Sequence, residues 1–122
     1  MKKYYLTTLI SLATVVCIDL SNSAVAQEVP LLKQFTPYSE VRQILLDAGW
    51  QAKILSWNQR ESPPTEIEQD FIETLGYDEL VSCSGTGLGL CRFEFSNIDR
   101  QTLVLITANN QVSPALYEWW LE

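Results

Sequence analysis

A chain of 122 residues with net charge −7, no histidine and three cysteines is one domain's worth of polypeptide. The acidic balance argues against a nucleic-acid partner, which needs a basic stripe to displace counterions, and disfavours binding to anionic membranes. The absence of histidine removes Ser-His and Cys-His nucleophilic sites together with the commonest general base and the commonest metal ligand.

The first 26 residues have the three parts of a secretory signal. They are a basic start at Lys2 and Lys3, an apolar stretch from about Leu6 to Ile18, and a small-residue ending at Ala24-Val25-Ala26. The stretch is shorter than the ~20 apolar residues a membrane span requires, and Asp19 closes it. A lipid anchor on Cys17 would call for a small residue before it, where Val16 stands. The expectation is a cleaved signal peptide over residues 1–26 and a single secreted or periplasmic domain over 27–122. Removing two lysines against Asp19 leaves that domain at −8. A basic protein partner would associate faster with it, although such a charge also serves plain solubility.

After a lead-in over Gln27 to Phe35, expected to be mobile at its start, Thr36-Pro37 reads as a helix entry with Thr36 as N-cap and Pro37 as first helical residue. Tyr38, Val41, Leu45 and Ala48 follow at helical spacing, with Ile44 widening the stripe, and Gly49 stands where a left-handed terminal residue belongs. Trp50 to Trp57 reads as a short edge strand, and Asn58 to Pro64 as a loop ended by Pro63-Pro64. Thr65 and Glu68 form a capping box for a second helix. Its expected buried stripe is Ile67, Phe71, Ile72 and Leu75, and Gly76 stops it. Its carboxylates Glu66, Glu68, Asp70 and Glu73, with Asp78 and Glu79 after it, read as solvated. Glycoside hydrolysis would need two carboxyl groups facing each other across a cleft, and calcium would need alternating oxygen ligands in a loop; neither pattern is present.

From Asp78 the period turns from helical to alternating. Leu80, Ser82 and Cys83 begin a strand; Cys91, Phe93 and Phe95 share one face of the next, and Arg92, Glu94 and Ser96 the other. Ser96 to Gln101 is a turn, Thr102 to Ala108 an apolar strand, and Asn109-Asn110 a second tight turn. The end, Ala115 to Leu121, reads as a strand with Tyr117, Trp119 and Leu121 facing one way; a terminal helix is the alternative. The fold class is α+β: two helices on one face of an antiparallel meander of three or four strands.

Within this frame, Cys83-Ser84-Gly85-Thr86-Gly87-Leu88-Gly89-Leu90-Cys91 is a hairpin closed by a disulfide. Seven intervening residues suit neither a zinc ligand pair nor a redox pair, and the strand after Cys91 is not the helix N-terminus that a phosphate loop needs. No metal, cofactor or catalytic residue is expected. The candidate binding residues are Gly85, Thr86, Gly87 and Arg92, which could hold a small anion or ligand, and Trp119 and Trp120, of which one must leave the core if the end is a strand. An exposed tryptophan with a polar rim suits contact with a protein or envelope component; cover by the lead-in or by Trp50 would make it structural.

The succession of a helix, Gly49-Trp50, an acidic helix, Cys83-Ser84-Gly85-Thr86-Gly87, Cys91-Arg92-Phe93-Glu94-Phe95 and Leu103-Val104-Leu105-Ile106-Thr107 resembles uncharacterised small exported proteins of Gram-negative bacteria and cyanobacteria. The order of helices before an antiparallel sheet is similar to the β-lactamase-inhibitor-type architecture shared with small outer-membrane assembly lipoproteins. Neither resemblance implies a catalytic residue. A shared architecture alone confers no function, and the expectation of a non-enzymatic secreted or periplasmic binding module rests on the chemistries the residues exclude.

Overall fold

The computed structural model describes residues 27–60, 62–84, 87–110 and 113–122, so the expected signal segment lies outside the described residues. In chain order the elements are α1 (Tyr38–Asp47), β1 (Gln51–Ala52), a 3₁₀ turn (Trp57–Gln59), α2 (Glu66–Gln69) continuing as a π turn (Asp70–Thr74), β2 (Leu80–Cys83), β3 (Leu90–Ser96), β4 (Thr102–Asn110) and β5 (Ser113–Leu121). The fold is α+β with one antiparallel sheet. It has five strands because β1 and β2 both pair with the same side of β3, β2 with its first half and β1 with its last two residues.

Helix α1 ends as its sequence dictates. Gly49 takes φ +87°, Gly49 donates its N–H to the Leu46 carbonyl, and Trp50 donates to Leu45. This double closure satisfies carbonyls that have no partner inside the helix. Its start differs from the expectation, since Pro37 is the N-cap, with ψ 137°, and no side chain caps the helix. Thr36 and Pro37 are extended because they bridge to β5: Leu116 donates to the Thr36 carbonyl, Phe35 donates to the Leu116 carbonyl, and Pro37 lies opposite Ala115. The lead-in is tied down at its start as well, where Gln27 donates to the Ala48 carbonyl and the Trp50 indole donates to that of Glu28.

The second helix departs further. Thr65 accepts from the Glu68 N–H, as a capping residue should, but the Glu68 carboxylate takes the Thr65 hydroxyl, and Glu68 is buried rather than solvated. After one turn the backbone widens: Leu75 donates to Asp70, five residues back. The extra residue in this turn shifts the stripe beyond it: Phe71 is buried and Ile72 half-buried, while Leu75 after the turn and Ile67 before it are each 48% exposed. Gly76, at φ +72°, stops the segment, and Tyr77 donates back to Phe71.

The core lies on the side of β3 that carries Cys91, Phe93 and Phe95, which we call the inner face. Tyr38, Val41, Leu45 and Trp50 join it there with Leu80, Leu103, Leu105 and Leu116. The Tyr38 ring stacks on Phe93 at 4.0 Å between centroids, and Phe71 meets the same ring edge-on at 6.1 Å. The turn between β3 and β4 closes through Asn97, which accepts from the Gln101 N–H and donates to its side chain. Strand β4 continues through Asn110 instead of turning at Asn109-Asn110, and its link to β5 lies at 111–112, outside the described residues.

The chain end is a strand, as its aromatics suggest. Its register breaks once: Ile106 pairs with Glu118 and Thr107 with Leu116, which leaves Tyr117 as a bulge. Leu116, Trp119 and Leu121 therefore share the inner face opposite Thr107, Leu105 and Leu103, and Tyr117 drops out of the expected alternation. Trp120, opposite Val104, goes to the other side.

Candidate functional site

The outer face of the sheet begins on β3, where Arg92 and Glu94 alternate with the core phenylalanines. Register carries it across β4 to Val104 and Ile106 and on to Trp120 and Glu118. Arg92 is its hub: one amino group donates to the Glu122 carboxylate at 3.0 Å, its Nε lies 3.8 Å from Glu94, and its guanidinium stands 6.0 Å from the centre of the Trp120 ring. Lys53, 3.7 Å from Glu94, extends the row of alternating charge. Beneath these charges Val104 is fully buried, sealed on the outer side of its strand. Trp120 keeps 39% of its surface exposed. Trp50 is in the core and does not cover it, and the Arg92 guanidinium stands beside its ring.

Beside this ridge lies a groove of about 610 Å³ between β2, β3 and the segment that leads into α2, lined by Lys53, Arg60, Glu68, Ser82, Arg92 and Glu94 among others. Cys83 also borders it. The Cys83–Cys91 disulfide joins two directly paired residues, Cα atoms 4.0 Å apart, and holds β2 against β3 along the groove. Thr65 and Glu68, at the start of the second helical segment, border the groove, while Phe71 in its π turn meets the Phe93 ring.

The candidate residues read from the sequence do not converge on one point. Cys83 and Cys91 are bonded; Trp119 is half-buried against the core; Trp120 and Arg92 meet on the outer face. Gly85 and Thr86 lie outside the described residues. Gly87 is exposed at φ +71°, where a larger side chain would be strained. Arg92 is engaged by Glu122 and Glu94.

One polar cluster went unread in the sequence. Glu79, expected to be solvated, is 0% exposed. Its carboxylate accepts from the Tyr38 hydroxyl at 2.7 Å and the Arg42 Nε at 2.6 Å, and the Arg42 guanidinium also stands 5.3 Å from the Tyr77 ring centre. Burial, then the negative charge of Glu79 and the hydrogen bond to it, pushes the Tyr38 hydroxyl far above its ordinary value of 10.0. Burial draws the Arg42 guanidinium down, but the hydrogen bond and charge of Glu79 outweigh it and raise the group. With both partners held protonated, the cluster is a structural tie between α1 and the start of β2. The signal in the sequence was Arg42 on the flank of the α1 stripe, one turn after Tyr38, although no local pattern names its partner.

Among the described residues no group of three histidine, cysteine or carboxylate side chains could hold a metal, and no helix is long and apolar enough to cross a membrane. No protein-family model, curated protein or solved structure matches the chain. Function must therefore be read from these side chains alone.

Proposed function

We propose that the protein is a non-enzymatic secreted or periplasmic binding module that contacts another protein, or an envelope component, through the outer face of its sheet. The observation that carries this reading is Trp120, a large aromatic left 39% exposed on the outer face, with the Arg92 guanidinium, itself part of the groove lining, 6.0 Å from its ring centre. Tryptophan and arginine in a polar surround are the residues that most often dominate binding energy at protein contacts. Capture from envelope extract with the native protein and with Trp120→Ala tests it. The native protein should retain a partner that the variant loses, and an unchanged partner set would remove the outer face from consideration.

A second reading, a small anionic ligand, moves from the glycine hairpin to the groove. Three of the six lysines and arginines among the described residues line it, in a chain whose net charge is negative. Titration with phosphate, followed by tryptophan fluorescence, should show a saturable change; a flat response into the millimolar range would dismiss this reading.

A further inference from the structure

Strand β5 is the last strand of the sheet, and its outer edge is covered over only half its length. Phe35 and Thr36 bond to Leu116, and the Gln34 side chain donates to the Tyr117 carbonyl. There the cover ends, because Phe35 takes φ +68°, a left-handed conformation that a bulky residue adopts only at a cost, and the chain turns away from the strand. Beyond that point, Glu122 donates its N–H to Thr102, so the alternation of an antiparallel ladder directs the N–H and C=O groups of Trp119 and Leu121 away from β4. Nothing among the described residues pairs with them. An open edge is a template for one more strand.

The side chains define which strand fits. A residue placed opposite Trp119 or Leu121 would exchange main-chain hydrogen bonds with it and lay its own side chain on the inner face, beside an indole and a leucine that is still 44% exposed. Residues opposite Glu118, Trp120 and Glu122 would lie on the outer face, among two carboxylates and an aromatic ring. No cation of the described chain pairs with Glu118. A second copy of β5 would set glutamate against glutamate across the new ladder, in a chain already at −7. We propose that this edge accepts an extended segment of a partner protein in which apolar and basic residues alternate, the apolar ones toward Trp119 and Leu121 and the basic ones toward Glu118 and Glu122. This deepens the binding-module reading and rests on it.

The probe is a synthetic lysine–valine alternating peptide of roughly eight residues, about one strand in length. It is compared with a glutamate–valine counterpart and with two N-methylated forms, one methylated on the valine nitrogens and one on the lysine nitrogens. Edge addition places the bonded amides on the valines. The lysine–valine peptide and its lysine-methylated form should therefore bind and slow hydrogen exchange at the amides of Trp119 and Leu121, whereas the valine-methylated and glutamate–valine forms should bind at least about tenfold more weakly. Glu118→Lys should weaken the lysine–valine peptide. Equal binding of both methylated forms, a preference for the glutamate peptide, absence of binding into the millimolar range, or protection of these amides through concentration-dependent dimerisation would each overturn the proposal. Capture of the envelope partner by Leu121→Pro, which removes the outward N–H and leaves Trp120 in place, separates the two levels. Retention by Leu121→Pro with loss by Trp120→Ala keeps the outer face as the site and sinks strand addition.

Discussion

The two faces of β3 carry the same strand through opposite chemistries. On the inner face Phe93 and Phe95 are fully buried, and even the charged group there, Glu79, gives up solvent and takes two protein donors in its place. On the outer face Arg92 and Glu94 remain partly wet and trade ion pairs with Lys53 and Glu122. Exposed pairs contribute about 0 to 1 kcal/mol and tolerate rearrangement, whereas a buried charge that loses its partner destabilises strongly. The inner face therefore holds the fold, and the outer face is the one we propose makes contacts.

Arg42→Met should break that division most severely, because it leaves the Glu79 carboxylate buried with the Tyr38 hydroxyl as its only side-chain donor among the described residues. A loss of about 3 to 5 kcal/mol in urea unfolding is expected. Adding Glu79→Leu to it should restore much of the loss; if the double variant is no more stable than the single one, the buried charge is not the cause. Reducing the disulfide comes next, at about 2 to 3 kcal/mol for so short a loop. Mass measured with and without reductant should show two protons gained, and free thiols in the purified protein would remove the staple from the account. Tyr38→Phe should cost about 1.5 to 3 kcal/mol, as for a hydrogen bond to a charged group. It also carries a pH signature: the folded hydroxyl holds its proton while the unfolded one releases it near 10.0, so stability is fully present below that pH and falls as pH rises past it. The urea midpoint of the native protein should drop more steeply between pH 9 and 11 than that of the variant, and parallel curves would contradict the assignment. Trp120→Ala and Arg92→Ala belong at the small end for stability, within about 1 kcal/mol, and at the large end for partner capture.

Much of this arrangement was legible in the sequence. Gly49 and Gly76 announced the ends of the helical segments, Thr65 its cap, and the alternation of Cys91 to Phe95 the two faces of β3, because each is a rule about neighbours a few residues apart. The disulfide followed from a spacing that fits no metal or redox site. What escaped depends on residues distant in the chain. The π turn that shifts Leu75 off the stripe and the bulge that removes Tyr117 from its row each add one residue to a regular period, and nothing local marks the place. Glu79 looked solvated because its neighbours Asp78 and Leu80 say nothing of Arg42, 37 residues earlier in the chain. Trp120 was legible as an open choice, and the register of β5 with β4 resolved it toward the outer face.

The division between a holding face and a contacting face is tested most directly by photo-cross-linking in the producing cell, with the cross-linker placed at position 120 and, separately, at positions 31 and 98, where Leu31 and Ile98 are exposed but lie off this face. A discrete adduct from position 120, absent from the other two, is the predicted result. Adducts from position 31 or 98 without one from position 120 would place the contact surface elsewhere and contradict the account.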